Sequence, residues 1–173
     1  MKKLILMRHA KADWGEAGSA DFDRTLSPQG KRDAETMAGR MALRVSLNPP
    51  EVPQKLDRII CSSAQRTRST AEALAKTVNY PVANIDLDKN LYLADLDAWL
   101  ETIQCLPEQL QFVIMVGHNP ALTELAGYLS SLPFSGMPPG GMLYLNYGEV
   151  GWQDIGSIKP ESEFFDSPDS LQK

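Results

Sequence analysis

Three short apolar runs, Leu4-Ile5-Leu6-Met7, Ile59-Ile60-Cys61 and Phe112 to Val116, each end abruptly in polar residues. Runs of this length without alternation read as strands buried on both faces, as in a parallel sheet. Between them the apolar spacing becomes helical. Ala34, Met37, Ala38, Met41 and Val45 share one helix face, entered through Ser27 as a cap with Pro28 at the first helical position and stopped by Asn48-Pro49-Pro50. Ala71, Leu74, Ala75 and Val78 line a second helix, led in by Ser62-Ser63, and Leu96, Trp99, Leu100 and Ile103 a third that ends before Pro107. Leu122, Leu125, Ala126 and Leu129 mark a fourth, for which Asn119 reads as the cap and Pro120 as the opening residue.

The remaining stretches are less regular. Ile85 and Leu87 alternate with polar neighbours, and Gly141 to Tyr147 reads as a further strand. A turn at Gly148 to Gly151 then leads into Trp152 to Ile158, which the pattern pairs antiparallel at the sheet edge. Leu132 to Gly140, rich in Pro, Gly and Ser, reads as a loop that either flanks a site or simply connects elements, connection being the favoured reading. Strand and helix alternate throughout, which predicts an α/β fold: a three-layer α/β/α sandwich with a mostly parallel central sheet. One domain is expected over residues 1–160, followed by a loosely held acidic tail at 161–173.

Composition narrows the partners. A chain of 173 residues, 43% hydrophobic, has the size and content of one globular domain. Its formal net charge of −5 argues against a nucleic-acid backbone as partner. The first apolar run is too short for a signal peptide and no stretch reaches membrane length, so a cytoplasmic protein is expected. Cys61 and Cys105 are far apart and read as buried free thiols rather than a disulfide.

Candidate chemistry sits where the strands end. Arg8-His9 follows the first run and His118 the Phe112 to Val116 run. In a doubly wound sheet both carboxyl ends face one crevice. A neutral imidazole is a nucleophile, and a guanidinium offers a planar fork to phosphate oxygens. Arg66 falls in the first turn of a helix, where a cation opposes the helix dipole unless an anion lies nearby. A surface salt bridge is the other reading of Arg66. Arg24, in Asp21-Phe22-Asp23-Arg24, has neighbouring carboxylates to pair with. No G-x-G-x-x-G follows the first strand and no Walker-type loop occurs, and two histidines without clustered cysteines give no metal site.

Met7-Arg8-His9-Ala10-Lys11, Asp13-Trp14, Asp23-Arg24-Thr25-Leu26-Ser27-Pro28-Gln29-Gly30, Ser62-Ser63-Ala64-Gln65-Arg66-Thr67 and Val116-Gly117-His118-Asn119-Pro120 together resemble the histidine phosphatase superfamily, in particular its SixA-like phosphohistidine phosphatase branch. The resemblance spans roughly residues 3–146. It implies a phosphoglycerate-mutase-like fold and a phosphatase that forms a covalent phosphohistidine on His9. It implies phosphate binding by Arg8, Arg24 and Arg66 with His118 as the second catalytic histidine, no cofactor, and a phosphohistidine-bearing protein, such as a histidine phosphotransfer domain, as partner. Relatives acting on monoesters present a mid-chain acid, often Glu. Residues 80–100 hold Asp86, Asp88, Asp95 and Asp97 but no Glu. This favours a P–N substrate, whose imidazole leaves more readily than an alkoxide. Asp13 is the candidate acid, with pairing to Lys11 as its alternative, and the acid stays unassigned. A phosphatase of small monoesters and a non-catalytic phosphoprotein-binding module are the competing readings. Oligomeric state is not legible.

Overall fold

The structure, a computed structural model, describes residues 1–47 and 55–171. Its sheet has six strands: β1 (Lys2–Arg8), β2 (Arg58–Ser62), β3 (Asp86–Asp88), β4 (Phe112–Gly117), β5 (Met142–Gly148) and β6 (Ser162–Asp166). They lie in the order β3-β2-β4-β1-β5-β6. β1 to β4 are mutually parallel, and β5 runs antiparallel to both β1 and β6. The expected mostly parallel α/β architecture is the observed one.

Period-two alternation in the strands sorts the core into two layers. Ile5, Met7, Ile59, Cys61, Ile114 and Val116 face α1 (Pro28–Leu47) and α2 (Gln65–Thr77). Leu4, Leu6, Ile60, Val113 and Met115 face α3 (Leu96–Gln104) and α4 (Ala121–Leu129). Both faces of the central strands are therefore covered, which explains runs that are apolar at every position. Ser27 caps α1 by accepting from Gly30 N–H at 2.9 Å, as its position before Pro28 predicts. The Asn48-Pro49-Pro50 stop lies outside the described residues.

Four local expectations are corrected. Asn119 does not cap α4: its amide donates to the Met137 carbonyl and its oxygen accepts from Thr123, so it fastens the 132–140 loop. Trp152 to Ile158 is not a strand. Trp152–Asp154 is a 3-10 turn that buries Trp152 under the sheet, with its indole N–H on the Leu110 carbonyl. The antiparallel partner of β5 is instead Ser162–Asp166, from the segment expected to be a loose tail, where Phe165 packs on the core and Asp166 pairs with Arg40 at 3.2 Å. Finally, Cys61 is a buried free thiol but Cys105, at the end of α3, is exposed.

Candidate active site

β1 and β4 pair in register, with Arg8 opposite Gly117. The next residue of each strand is a histidine, so the ladder itself sets His9 beside His118, with ring centroids 5.4 Å apart. The main chain of His9 is clamped from both sides. Its N–H donates to the Gly117 carbonyl (3.0 Å) and its carbonyl accepts from Gly140 N–H (3.1 Å). Thr70 of α2 accepts from Ala10 N–H and donates to the Arg66 carbonyl, tying the nucleophile loop to the helix that carries Arg66.

The ring of His9 has a determined tautomer. Nδ1 lies 2.7 Å from the Ala10 carbonyl, and a carbonyl oxygen only accepts, so Nδ1 holds the proton and the lone pair is on Nε2. Burial, followed by the charges of Arg66, Arg8 and Arg24, pushes its pKa down to about 4, against the raising effect of the Ala10 carbonyl. Burial outweighs the three guanidinium charges as the cause of the neutral ring. His118 is pushed down to about 3, by burial first and then by His9 and Arg66. Its Nε2 meets the Ser62 hydroxyl at 2.7 Å.

Three guanidinium groups surround the pair. Arg8 donates to the Met137 carbonyl at 2.9 Å, so the loop 132–140 does more than connect: it positions a site arginine. Arg66 donates from Nη1 to the Asp21 carbonyl (2.6 Å) and from Nη2 to the Asp21 carboxylate (2.9 Å). Arg24 reaches the same carboxylate at 3.2 Å and the Asp13 carbonyl at 2.8 Å. The structure thus brings all five sequence-predicted residues, Arg8, His9, Arg24, Arg66 and His118, to one sheet edge, with Arg24 at its rim.

Asp13 is not brought in as an acid; its carboxylate is exposed, and only its backbone carbonyl holds Arg24. Nor is it paired with Lys11. Asp88 and Asp95 cap the short helices that follow them. The carboxylate at the site is Asp21, held well below the usual carboxylate range by the Tyr92 hydroxyl (2.7 Å), Arg66 and Arg24. It is the anion that offsets a cation in the first turn of α2. Tyr92 also places its ring edge-on to His118 at 5.6 Å. The sequence reading anticipated a neighbouring carboxylate for Arg24 and a salt bridge for Arg66, both met by Asp21, but missed that one carboxylate serves both, and missed Tyr92 and the role of Ser62. The three-residue spacing of Asp21 and Arg24 was a local signal, whereas nothing local marks Tyr92.

Buried polar atoms ordinarily find partners. Among the described residues the buried side-chain atoms without one are Arg8 Nε, Ser63 Oγ, His118 Nδ1 and Tyr147 Oη. Arg8, Ser63 and His118 follow or end β1, β2 and β4 at the edge where the histidines meet. Unpaired donors gathered beside cationic side chains are what an oxyanion site requires before its ligand arrives.

Residues 4–101 match the family model of the histidine phosphatase superfamily, branch 1. An uncharacterized protein of Mycobacterium tuberculosis is 35% identical over 127 residues, 73% of this chain and 71% of that one. The chain belongs to the histidine phosphatase superfamily. The SixA structure from Agrobacterium tumefaciens superposes with a TM-score of 0.71 at 28% identity, covering 94% of this chain and 97% of that chain. Within the superfamily this phosphatase is SixA-like. Phosphoserine phosphatase 1 of Hydrogenobacter thermophilus is 33% identical over 88 residues, which is 50% of this chain and 37% of that protein. The matched family segment contains Arg8, His9, Arg24 and Arg66; His118 lies beyond it and joins them through the β1–β4 register. Among the described residues no helix is long and apolar enough to cross a membrane.

Proposed function

We propose that this histidine phosphatase removes the phosphoryl group from phosphohistidine on a protein, with His9 as nucleophile. The observation that carries the reading is the His9 ring: neutral, its Nδ1 proton engaged by Ala10, its Nε2 lone pair beside His118 and three arginines. Nε2 attacks phosphorus and the P–N bond to the substrate imidazole breaks. The departing imidazole takes a proton from water. The hydroxide so formed attacks the phosphoryl group on His9, the P–Nε2 bond breaks, and inorganic phosphate leaves with His9 restored.

Phosphoryl transfer spreads negative charge over three equatorial oxygens. Arg8, Arg24 and Arg66 supply the compensating charge, and we propose that the reaction uses no metal. For His118, whose Nε2 lies 2.7 Å from the Ser62 hydroxyl, we propose that Nε2 accepts from that hydroxyl and that the otherwise unpaired Nδ1 carries the proton and donates it as a hydrogen bond to the phosphoryl group. Asp21, an anion held by three donors, is a positioning residue for Arg66 and Arg24 rather than an acid. A site without a carboxylic acid favours imidazole over alkoxide as leaving group. We further propose a cytoplasmic location.

Phosphate release tests the reading, from a histidine phosphotransfer domain phosphorylated on histidine and from an aryl phosphate, with and without chelator. The expected result is chelator-insensitive release from the phosphohistidine protein that His9→Ala abolishes. The second reading, a phosphatase of small monoesters, is favoured by the phosphoserine phosphatase relative. Faster His9-dependent release from the aryl ester would establish it instead.

A further inference from the structure

The two most exposed large apolar side chains among the described residues, Trp14 at 91% and Leu93 at 85%, both stand on segments that carry the site. Trp14 lies against the Arg24 guanidinium, 5.2 Å from ring centroid to carbon. Leu93 follows Tyr92, whose ring touches both His118 and Phe22. Phe22, 37% exposed, follows Asp21. Trp14 and Phe22 are thus tied to the site through Arg24 and Tyr92, and Leu93 stands next to Tyr92 in the chain. Two cavities of about 560 and 400 Å³ lie elsewhere, lined by residues such as Leu56 and Tyr80 or Ala34 and Ala73, and neither includes His9 or His118.

We propose that Trp14, Phe22 and Leu93 are the docking surface for the protein that carries the phosphohistidine, and that this partner presents an apolar face with basic side chains beside its phosphorylated residue. The proposal rests on the phosphohistidine reading above and adds the recognition surface. Exposed aromatic and aliphatic side chains grouped around a reactive centre are typical anchors of a protein interface. The charges beside them choose the partner. Asp13, Glu16, Asp23 and Asp95 are exposed and form no ion pair among the described residues, against the equally exposed and unpaired Lys11 and Lys89 beside the same segments. Such a rim repels a free phosphate ester, which is an anion, and attracts a protein that brings lysine or arginine with its phosphoryl group. A second copy of this chain would set the same carboxylates against each other.

The test compares Leu93→Ser, Trp14→Ala and Glu16→Lys with the wild type on two substrates: a histidine phosphotransfer domain phosphorylated on histidine, and free phosphohistidine. Leu93 and Glu16 have no part in the phosphate site and Trp14 meets it only through its ring on the Arg24 guanidinium at the rim, so turnover of free phosphohistidine reports whether each variant folds and reacts normally. The expected result is a KM for the protein substrate raised roughly tenfold by Leu93→Ser and by Trp14→Ala, and raised by Glu16→Lys, with kcat on free phosphohistidine unchanged in all three and its KM unchanged by Leu93→Ser and Trp14→Ala and lowered by Glu16→Lys. If the variants leave both substrates unchanged, or slow both alike, the docking surface is overturned while the phosphohistidine reading stands. If the wild type hydrolyses neither substrate, the functional reading itself falls and the docking surface with it.

Discussion

At the scale of single residues, the site is a set of buried bases kept neutral and cations kept charged. An imidazole normally titrates near 6.5, but His9 and His118 stay neutral down to about 4 and about 3. Nitrogen-15 NMR is therefore expected to show both rings neutral at pH 5.5, with the His9 proton on Nδ1. A ring titrating near 6.5 would contradict the burial argument. The same shifts set a pH dependence of stability. The unfolded chain takes up protons on both imidazoles below about 6.5, whereas the folded chain does not until about 4 and about 3, so stability falls as pH drops through that window. Thermal melts between pH 7 and 4.5 check the sign. Asp21 makes a separate prediction. Asp21→Asn keeps an oxygen for Tyr92 but removes the charge that anchors Arg66 and Arg24, and kcat is expected to fall roughly tenfold. The fold, read by circular dichroism, should not change, because the carboxylate is exposed at the rim.

At the scale of elements, the register of two parallel strands does what no motif states: it converts Arg8-His9 and Gly117-His118 into neighbours. Glycine at 117 is part of that device, since a β-carbon there would run into the ring of the buried Trp99 on α3. Gly30 plays a matching part, as a β-carbon would strike the carbonyl of Lys11 in the loop after His9. Gly30→Ala is expected to destabilise by about 1–3 kcal/mol through overpacking, lowering the melting temperature, and to slow turnover by shifting that loop. An unchanged melting temperature would mean that α1 can tilt away freely. The sequence made these elements legible because buried parallel strands are apolar at every position and helices repeat their apolar residues every three to four positions, whereas of the expected caps Ser27 forms and Asn119 does not. It misplaced the last strand because Trp152 and Ile155 are as apolar as a strand requires but are buried by a 3-10 turn, while Phe164 and Phe165 sit among the charges of Glu161, Glu163 and Asp166.

At the scale of the whole molecule, the sheet places its chemistry where β1 and β4 end, beside segments 13–24 and 92–95, which Asp21 and Phe22 join through Tyr92. Four of the site residues, Arg8, His9, Arg66 and His118, were legible because they end or follow strands or begin a helix, positions that sequence periodicity reveals, whereas Arg24, in a loop, was reached only through the family resemblance. Asp21 and Tyr92 were not, since a loop and a 3-10 turn bring them together from 71 residues apart. The terminal strand is structural: removing residues 161–173 would strip β6 from β5 and free Arg40 and Arg44 from Asp166 and Phe164. Such a truncation is expected to melt several degrees lower and to aggregate more readily through the bared β5 edge. Native-like melting would show β6 to be dispensable.

The central claim is that the phosphoryl group passes through His9. Rapid quenching of turnover into base, where phosphohistidine survives, followed by mass spectrometry of peptides, tests it most directly. The account predicts a phosphoryl group on His9 during turnover and none in His9→Ala. Phosphate released with no covalent intermediate, or a label on another residue, would contradict it.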